Sequence, residues 1–385
     1  MQKSNIKWWH FLLLFLVVGN LLLYFSGKWY YYKALVYNYV GIDDLELFHT
    51  RTIKAENPMP WPLGLDYNQA PVPDTLQNTI NRFRSVAFLI VKDDSIRHEQ
   101  YHEGYGKSSL SNSFSMAKSV VGLLVGIALD EGKIKSLDQP VHEFYPEYNQ
   151  GENRKLTIRH LLMMSSGLDY DESYTSLTSP TTRAYYDTKL RQQMNELCVV
   201  EEPGKQFEYR SSDTQVLGIV LKAATNMSLS DYATQKLWVP LGAEHDAQWS
   251  LDDKNGDEKA YCCIYSNARD FARIGQLVLN KGKWRGKQIV SEKFIQEMTV
   301  ASPLMDEGKP NQTYGFQWWI YEHLGQKAYY ARGILGQYIF VIPDQKMVIV
   351  RLGHERAEKD NTGLPTDIPI FLDGAMKMYG SPQKM

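Results

Sequence analysis

At 385 residues the chain has room for two or three domains of the usual ~100–200 residues. Its 43% hydrophobic and 22% charged residues exclude a mostly disordered polypeptide, and a formal charge of −2 leaves no cationic excess for a phosphate backbone, so no nucleic-acid partner is expected. Three cysteines (Cys198, Cys262, Cys263) exclude a disulfide framework, an unstrained bridge between the adjacent pair is not expected, and no metal site is suggested.

In chain order, the first element is apolar. Residues 8–25 read WWHFLLLFLVVGNLLLYF, and about 18 residues at 1.5 Å rise span roughly 27 Å, close to the hydrocarbon thickness of a bilayer. Lys3 and Lys7 precede this span, which puts the N-terminus in the cytoplasm by the positive-inside rule, and Trp8, Trp9, Trp29 and Tyr30-Tyr31-Tyr32 suit the two interfaces. Ser26-Gly27-Lys28-Trp29 is a poor small-x-small cleavage site, so an uncleaved anchor is expected ahead of a signal peptide. Pro58, Pro60, Pro62, Pro71 and Pro73 then predict a stalk or wrapping segment with little regular structure.

Residues 85–91 (SVAFLIV) read as a buried strand, with 95–101 as its hairpin partner across Lys92-Asp93-Asp94. Helices are expected over 115–130, closed by Gly132, over 156–164 and over 213–225. Strands return at 338–342 and 347–352, joined by Pro343-Asp344-Gln345-Lys346. A hairpin, a long helical insertion and then more strands imply one antiparallel sheet built from both ends of the domain, with helices packed on it.

Ser115-Met116-Ala117-Lys118 carries the first chemical signal. If Ser115 opens a helix, Ser115 and Lys118 share one face at i and i+3. A serine hydroxyl needs a base within hydrogen-bond reach, and a desolvated lysine one turn away can be that base or hold it. The helix N-terminus adds partial positive charge and free N–H groups beside a developing oxyanion. Alone, the pair also fits an N-cap serine with a solvated lysine. Tyr209-Arg210-Ser211 offers a phenol before a helix, and Tyr330-Ala331-Arg332-Gly333-Ile334-Leu335-Gly336-Gln337 a glycine-containing turn by a strand.

In this order the three elements resemble the serine β-lactamase and penicillin-binding-protein superfamily, in its class C-like branch. SVVGLLVGIALDEGKIKSLDQPVHEFYPE, LTIRHLLMMSSGLDYDE and NARDFARIGQLVLNKGKW match that branch as well, so the likeness covers residues 84–353. YARGILGQ and YCCIYSNARDFARIG look similar to its 6-aminohexanoate-dimer hydrolase group. The resemblance implies an α+β β-lactamase-like fold: an antiparallel sheet flanked by helices plus an all-helical lobe, here behind an N-terminal transmembrane helix. The expected division is 1–7 cytoplasmic, 8–26 transmembrane anchor or signal segment, 27–80 stalk or wrapping segment, and 81–385 hydrolase domain with its helical lobe at about 111–235.

The implied chemistry is acyl transfer to Ser115, with Lys118 and Tyr209 as the coupled base and the Ser115 and Ile334 N–H groups as oxyanion hole. Tyr174, Ser211, Gly333 and Gln337 are the expected substrate-binding residues. Ala331 stands where the branch carries a cation for a substrate carboxylate, which weakens penicillin or a D-Ala-D-Ala terminus as substrate, and Arg332 should point to the other face of the strand. No cofactor is implied. The expected substrate is a small ester or amide, cell-wall material included, met by a single-pass bacterial inner-membrane protein whose hydrolase domain faces the periplasm or the exterior. A non-catalytic envelope-anchored binding protein of the same fold, and a D-amino-acid peptidase or weak β-lactamase, are the alternatives.

Overall fold

A computed structural model describes residues 7–37, 40–174 and 176–381. Helix α1 (Trp8–Ser26) has mean hydropathy 1.8 and no buried residue, and Gly27 ends it in the left-handed conformation. Helix α2 (Tyr30–Val36) buries Tyr30 and Ala34, four residues apart on one face. Strand β1 (Thr50–Ile53) and helix α3 (Asp74–Arg82) follow. The stretch between them lies along the hairpin of β2 (Ser85–Lys92) and β3 (Ser95–Tyr101). There Ile96 donates to the Pro62 carbonyl at 2.9 Å and accepts from Gly64 at 2.9 Å, which covers part of an edge strand. The proline density therefore marks an edge cover, and the region holds more regular structure than its composition predicts.

Next come β4 (Ser111–Asn112), α4 (Met116–Asp130), α5 (Ile158–Leu162), α6 (Pro180–Tyr186) and α7 (Ser211–Thr225). Helix α5 is shorter than expected: Thr157 caps it by accepting from His160, and Met164 leaves the helix at φ 56°. Strands β5 (Ala247–Ser250) and β6 (Ile264–Ser266) join β1 and β4 in a small sheet of order β1-β5-β6-β4. Helix α8 (Ala268–Leu279) precedes β7 (Trp319–His323), β8 (Gln326–Gly333), β9 (Gln337–Ile342) and β10 (Met347–Gly353), and α9 (Ile368–Tyr379) closes the chain.

The main sheet has six antiparallel strands in the order β7-β8-β9-β10-β2-β3, so the two ends of the domain meet at the β10–β2 pair. Its central strands are apolar on both faces. Leu89, Val91, Ile339, Val341, Val348 and Val350 point into the core shared with α4 and α8. Phe88, Ile90, Tyr338, Phe340 and Ile349 point into a second core under α3 and α9. Period-two alternation with helices on both sides explains why SVAFLIV reads as an unbroken apolar run.

Cys262 and Cys263 are joined, contrary to expectation, on a turn where Cys263 takes φ 72°. That left-handed residue turns the backbone so that neighbouring sulfurs can meet.

Candidate active site

Ser115 sits at the N-terminus of α4, just after Phe114 at φ 43°. The turn is pinned from several sides. Asn112 accepts from the Phe114 N–H at 2.9 Å, Ser113 donates its N–H to the Ile264 carbonyl at 2.8 Å, and the Ser113 hydroxyl accepts from Ile264 at 3.0 Å. A left-handed residue held this way aims the next side chain out of the turn.

One turn on, Lys118 is buried and donates to the Ser115 Oγ at 3.0 Å and to the Tyr261 carbonyl at 2.9 Å. Its ammonium lies 5.0 Å from the Tyr209 ring centre and 5.6 Å from that of Tyr261. Tyr209 is clasped by aromatics: it stacks on Trp319 at 5.4 Å and meets Tyr314 edge-on at 6.1 Å. Burial pushes the phenols of Tyr261 and Tyr314 well above their ordinary range, so these two neighbours stay protonated.

Gln317 ties the elements that carry these groups. Its side chain donates to the Leu161 and Leu162 carbonyls at 3.0 and 3.1 Å and accepts from Thr214 of α7 at 2.7 Å, while its carbonyl accepts from Ser119 of α4 at 2.6 Å. Helices α4 and α7 are thereby fixed to one strut. In the sequence Gln317 is silent, because a glutamine beside Trp318-Trp319 carries no signal of its own.

The third element closes the site by a backbone approach. A Cβ at Gly333 would lie 2.3 Å from the Ser113 carbonyl oxygen, so only glycine lets the end of β8 rest against the Ser113–Ser115 turn. Ile334 follows directly. Buried Arg351 holds the next turn by donating to the Leu335 and Gly336 carbonyls at 2.8 and 2.7 Å.

The four expected substrate-binding residues divide. Gly333 and Tyr174 line the site. Ser211 does too, but its hydroxyl and N–H both donate to Glu172, at 2.6 and 2.7 Å. Gln337 does not reach the cavity: it is buried, and its amide donates to the Gly353 and Ile334 carbonyls while accepting from the Gly353 N–H. It braces the loop instead. Glu172, which reads in sequence as half of a solvated acidic pair, anchors the start of α7 and accepts from the Tyr174 hydroxyl at 2.5 Å. Asp171-Glu172 contains nothing that distinguishes it from an ordinary turn until the fold brings α7 alongside.

Contrary to the expectation that the chain carries no metal-ligand spacing, His98-Glu99-Gln100-Tyr101-His102 has the His-Glu-x-x-His spacing of zinc enzymes. It lies on and just after strand β3, not on a helix. Against desolvation by burial, hydrogen bonds from Arg269, Tyr101 and Tyr67 hold the Glu99 carboxyl down at about 2, so it is a structural ion-pair partner.

Two cavities flank Ser115. One, of about 440 Å³, is lined by Ala34, Val40, Leu177, Tyr185 and Tyr186 among others. The other, of about 970 Å³, is lined by Tyr209, Trp319, Arg332, Arg356 and Lys359, with Glu355 and Glu358 at its rim. Tyr174, Ile334 and Leu335 border both. Ala331 is buried in the core. Arg332 does point to the opposite face, yet it lies 3.7 Å over the Trp319 ring and so still lines the larger cavity.

The Beta-lactamase family model matches residues 72–367. The chain belongs to the beta-lactamase family. Among curated relatives, the 6-aminohexanoate-dimer hydrolase of Paenarthrobacter ureafaciens is 27% identical over 306 residues, covering 75% of this chain and 77% of that protein. A Bacillus anthracis protein solved as a candidate 6-aminohexanoate-dimer hydrolase superposes with TM-score 0.76 at 23% identity, over 89% of this chain and 94% of that one. A family VIII carboxylesterase superposes with TM-score 0.64 at 17% identity, over 83% and 99% of the two chains. The fold is thus the β-lactamase-like α+β fold, and the chain is a hydrolase of the serine type.

Proposed function

We propose that this chain is a membrane-anchored serine hydrolase that cleaves an ester or amide through an acyl-enzyme on Ser115. The observation that carries the reading is the 3.0 Å contact from the buried Lys118 ammonium to the Ser115 hydroxyl. In the proposed reaction the Ser115 Oγ attacks the carbonyl carbon, and its proton passes to the Lys118–Tyr209 pair. The N–H groups of Ser115 and Ile334 stabilise the oxyanion. The bond to the leaving group then breaks, and the pair returns the proton to the departing oxygen or nitrogen. Water attacks the acyl-enzyme, releases a carboxylic acid and restores the serine hydroxyl.

Helix α1, apolar and without a buried residue, would hold the enzyme in a bilayer with the N-terminus inside and the hydrolase domain outside the cytoplasm. Buried Ala331 supports a neutral ester or amide as substrate. One observation favours a second reading, a D-amino-acid peptidase or weak β-lactamase: Arg332, Arg356 and Lys359 line the larger cavity and could meet a carboxylate.

Intact-mass analysis of the full chain after exposure to a fluorophosphonate, a nitrophenyl ester and a penicillin tests the proposal. Stoichiometric labelling by the first two, with slow penicillin adduct formation, is expected. Rapid stoichiometric penicillin acylation would favour the second reading, and no adduct with any reagent would leave only a binding protein.

A further inference from the structure

The smaller cavity has an unusual wall. Part of it comes from the segment just after the apolar helix: Ala34 of α2, then Val40 and Gly41. Helix α6, which packs against α2, adds Thr181, Thr182, Tyr185 and Tyr186 to the lining. Ala34 is only eight residues beyond the end of α1, a reach of at most ~28 Å even if fully extended. The actual path is shorter, because α2 folds back. The Tyr32 hydroxyl donates to Asn20, six residues before the end of α1, which is about 9 Å inside a helical span. While one face of α2 packs on the hydrolase domain, Leu35 and Val36 are 59% and 73% exposed beside the half-exposed Trp29. Apolar and aromatic side chains at that level suit an interfacial helix. The cavity wall therefore stands at the membrane surface whenever α1 spans the membrane.

The two cavities also divide the substrate. Tyr209, of the pair proposed to return a proton to the leaving group, lines the larger cavity and not the smaller. The leaving group then departs through the larger cavity, and the acyl part of the substrate lies in the smaller one, where Ala34, Val40 and Leu177 offer apolar surface beside Arg84 and His354.

We infer that Ser115 acts on an amphiphile presented at the membrane surface, whose linear acyl chain occupies the smaller cavity, lined in part by α2 and α6. This inference rests on the proposed Ser115 acyl-enzyme and on α1 remaining in the membrane.

The test uses the full chain reconstituted in phosphatidylcholine vesicles with acetyl, butyryl and octanoyl nitrophenyl esters. The octanoyl-to-acetyl ratio of kcat/KM should exceed about ten, because added methylenes can rest on Ala34, Val40 and Leu177. Ala34→Trp fills the cavity from α2, and Leu177→Trp fills it from the other side. Each should lower that ratio about tenfold or more, and the second serves if the first does not fold. A palmitoyl ester in the enzyme's own vesicles should turn over at least about tenfold faster than the same ester in separate vesicles. A ratio near or below one, or a ratio unmoved in both folded variants, overturns the chain-binding inference. Equal rates in shared and separate vesicles overturn presentation by the membrane. If no ester acylates Ser115 at all, the proposed function itself fails, which is a different result from acylation without chain-length preference.

Discussion

Gly333→Ala is the substitution whose consequence follows most directly from the geometry. Gly333 has φ −115°, a value any residue adopts, so the change imposes no conformational penalty. Space alone opposes it. The added Cβ would sit 2.3 Å from the Ser113 carbonyl oxygen and 3.1 and 3.2 Å from the Cβ atoms of Gln337 and Phe114. Restoring ordinary contact requires the end of β8 and the Ser113–Ser115 turn to part by about 1 Å. That gap separates Ile334 from Ser115, the proposed oxyanion donors. A shift of ~1 Å at a reacting centre costs on the order of 10² in rate, comparable to the ~10²–10³ lost with one oxyanion donor. Overpacking should add about 1–3 kcal/mol of destabilisation. Steady-state hydrolysis of a short ester, read beside a thermal melt, should show kcat/KM down about a hundredfold with a modestly lowered Tm. A variant that melts near the parent and hydrolyses at the parental rate would show that the Gly333–Ser113 approach does not set the oxyanion geometry.

Three further outcomes are expected. Lys118→Ala and Tyr209→Phe should each slow single-turnover acylation by about 10²–10⁴ and keep the fold, and the double variant should be little worse than the slower single one, because the two act as a unit; additive losses would give them separate roles. Burial pushes the Asp213 carboxyl up to about 7, against hydrogen bonds from Ser166 and Ser212 and the charge of Arg210. Its folded value is above the unfolded one, so its stabilising contribution is complete below about pH 4 and is lost as pH rises through about 7. Relative to Asp213→Asn, the parent should therefore lose up to about 4 kcal/mol between those limits, and a stability difference flat across that range in chemical denaturation would contradict the assignment. N-terminal sequencing of membrane-extracted protein should begin at or near Met1, whereas a start near Lys28 would mean that α1 is cleaved.

Much of this molecule was legible in the chain because its signals are local. The β2–β3 hairpin follows from an apolar run and a short turn, and Ser115, Lys118, Tyr209 and Gly333 stand in an ordered set of motifs. Hidden features depend on contacts between distant segments. Glu172 becomes the anchor of Ser211 across 39 residues, and Gln317 becomes a strut across more than 100 residues to α7 and about 200 to α4. Position after the glycine motif predicts Gln337 in the pocket, but β9 starts there and turns the side chain toward Gly353. Alternation along β8 correctly sends Arg332 to the far face, yet that rule cannot foresee that Trp319 supports the guanidinium at the rim of the larger cavity. The wall made by Ala34 was equally invisible, because nothing in a seven-residue helix announces what lies behind it.

The central claim is that Ser115 forms the acyl-enzyme, and its most direct test is Ser115→Ala, with fluorophosphonate labelling located by peptide mapping. The parent protein should be modified once, on the Ser115 peptide, and the variant should melt like the parent but take no label and hydrolyse no ester. Full labelling and turnover in Ser115→Ala would contradict the claim.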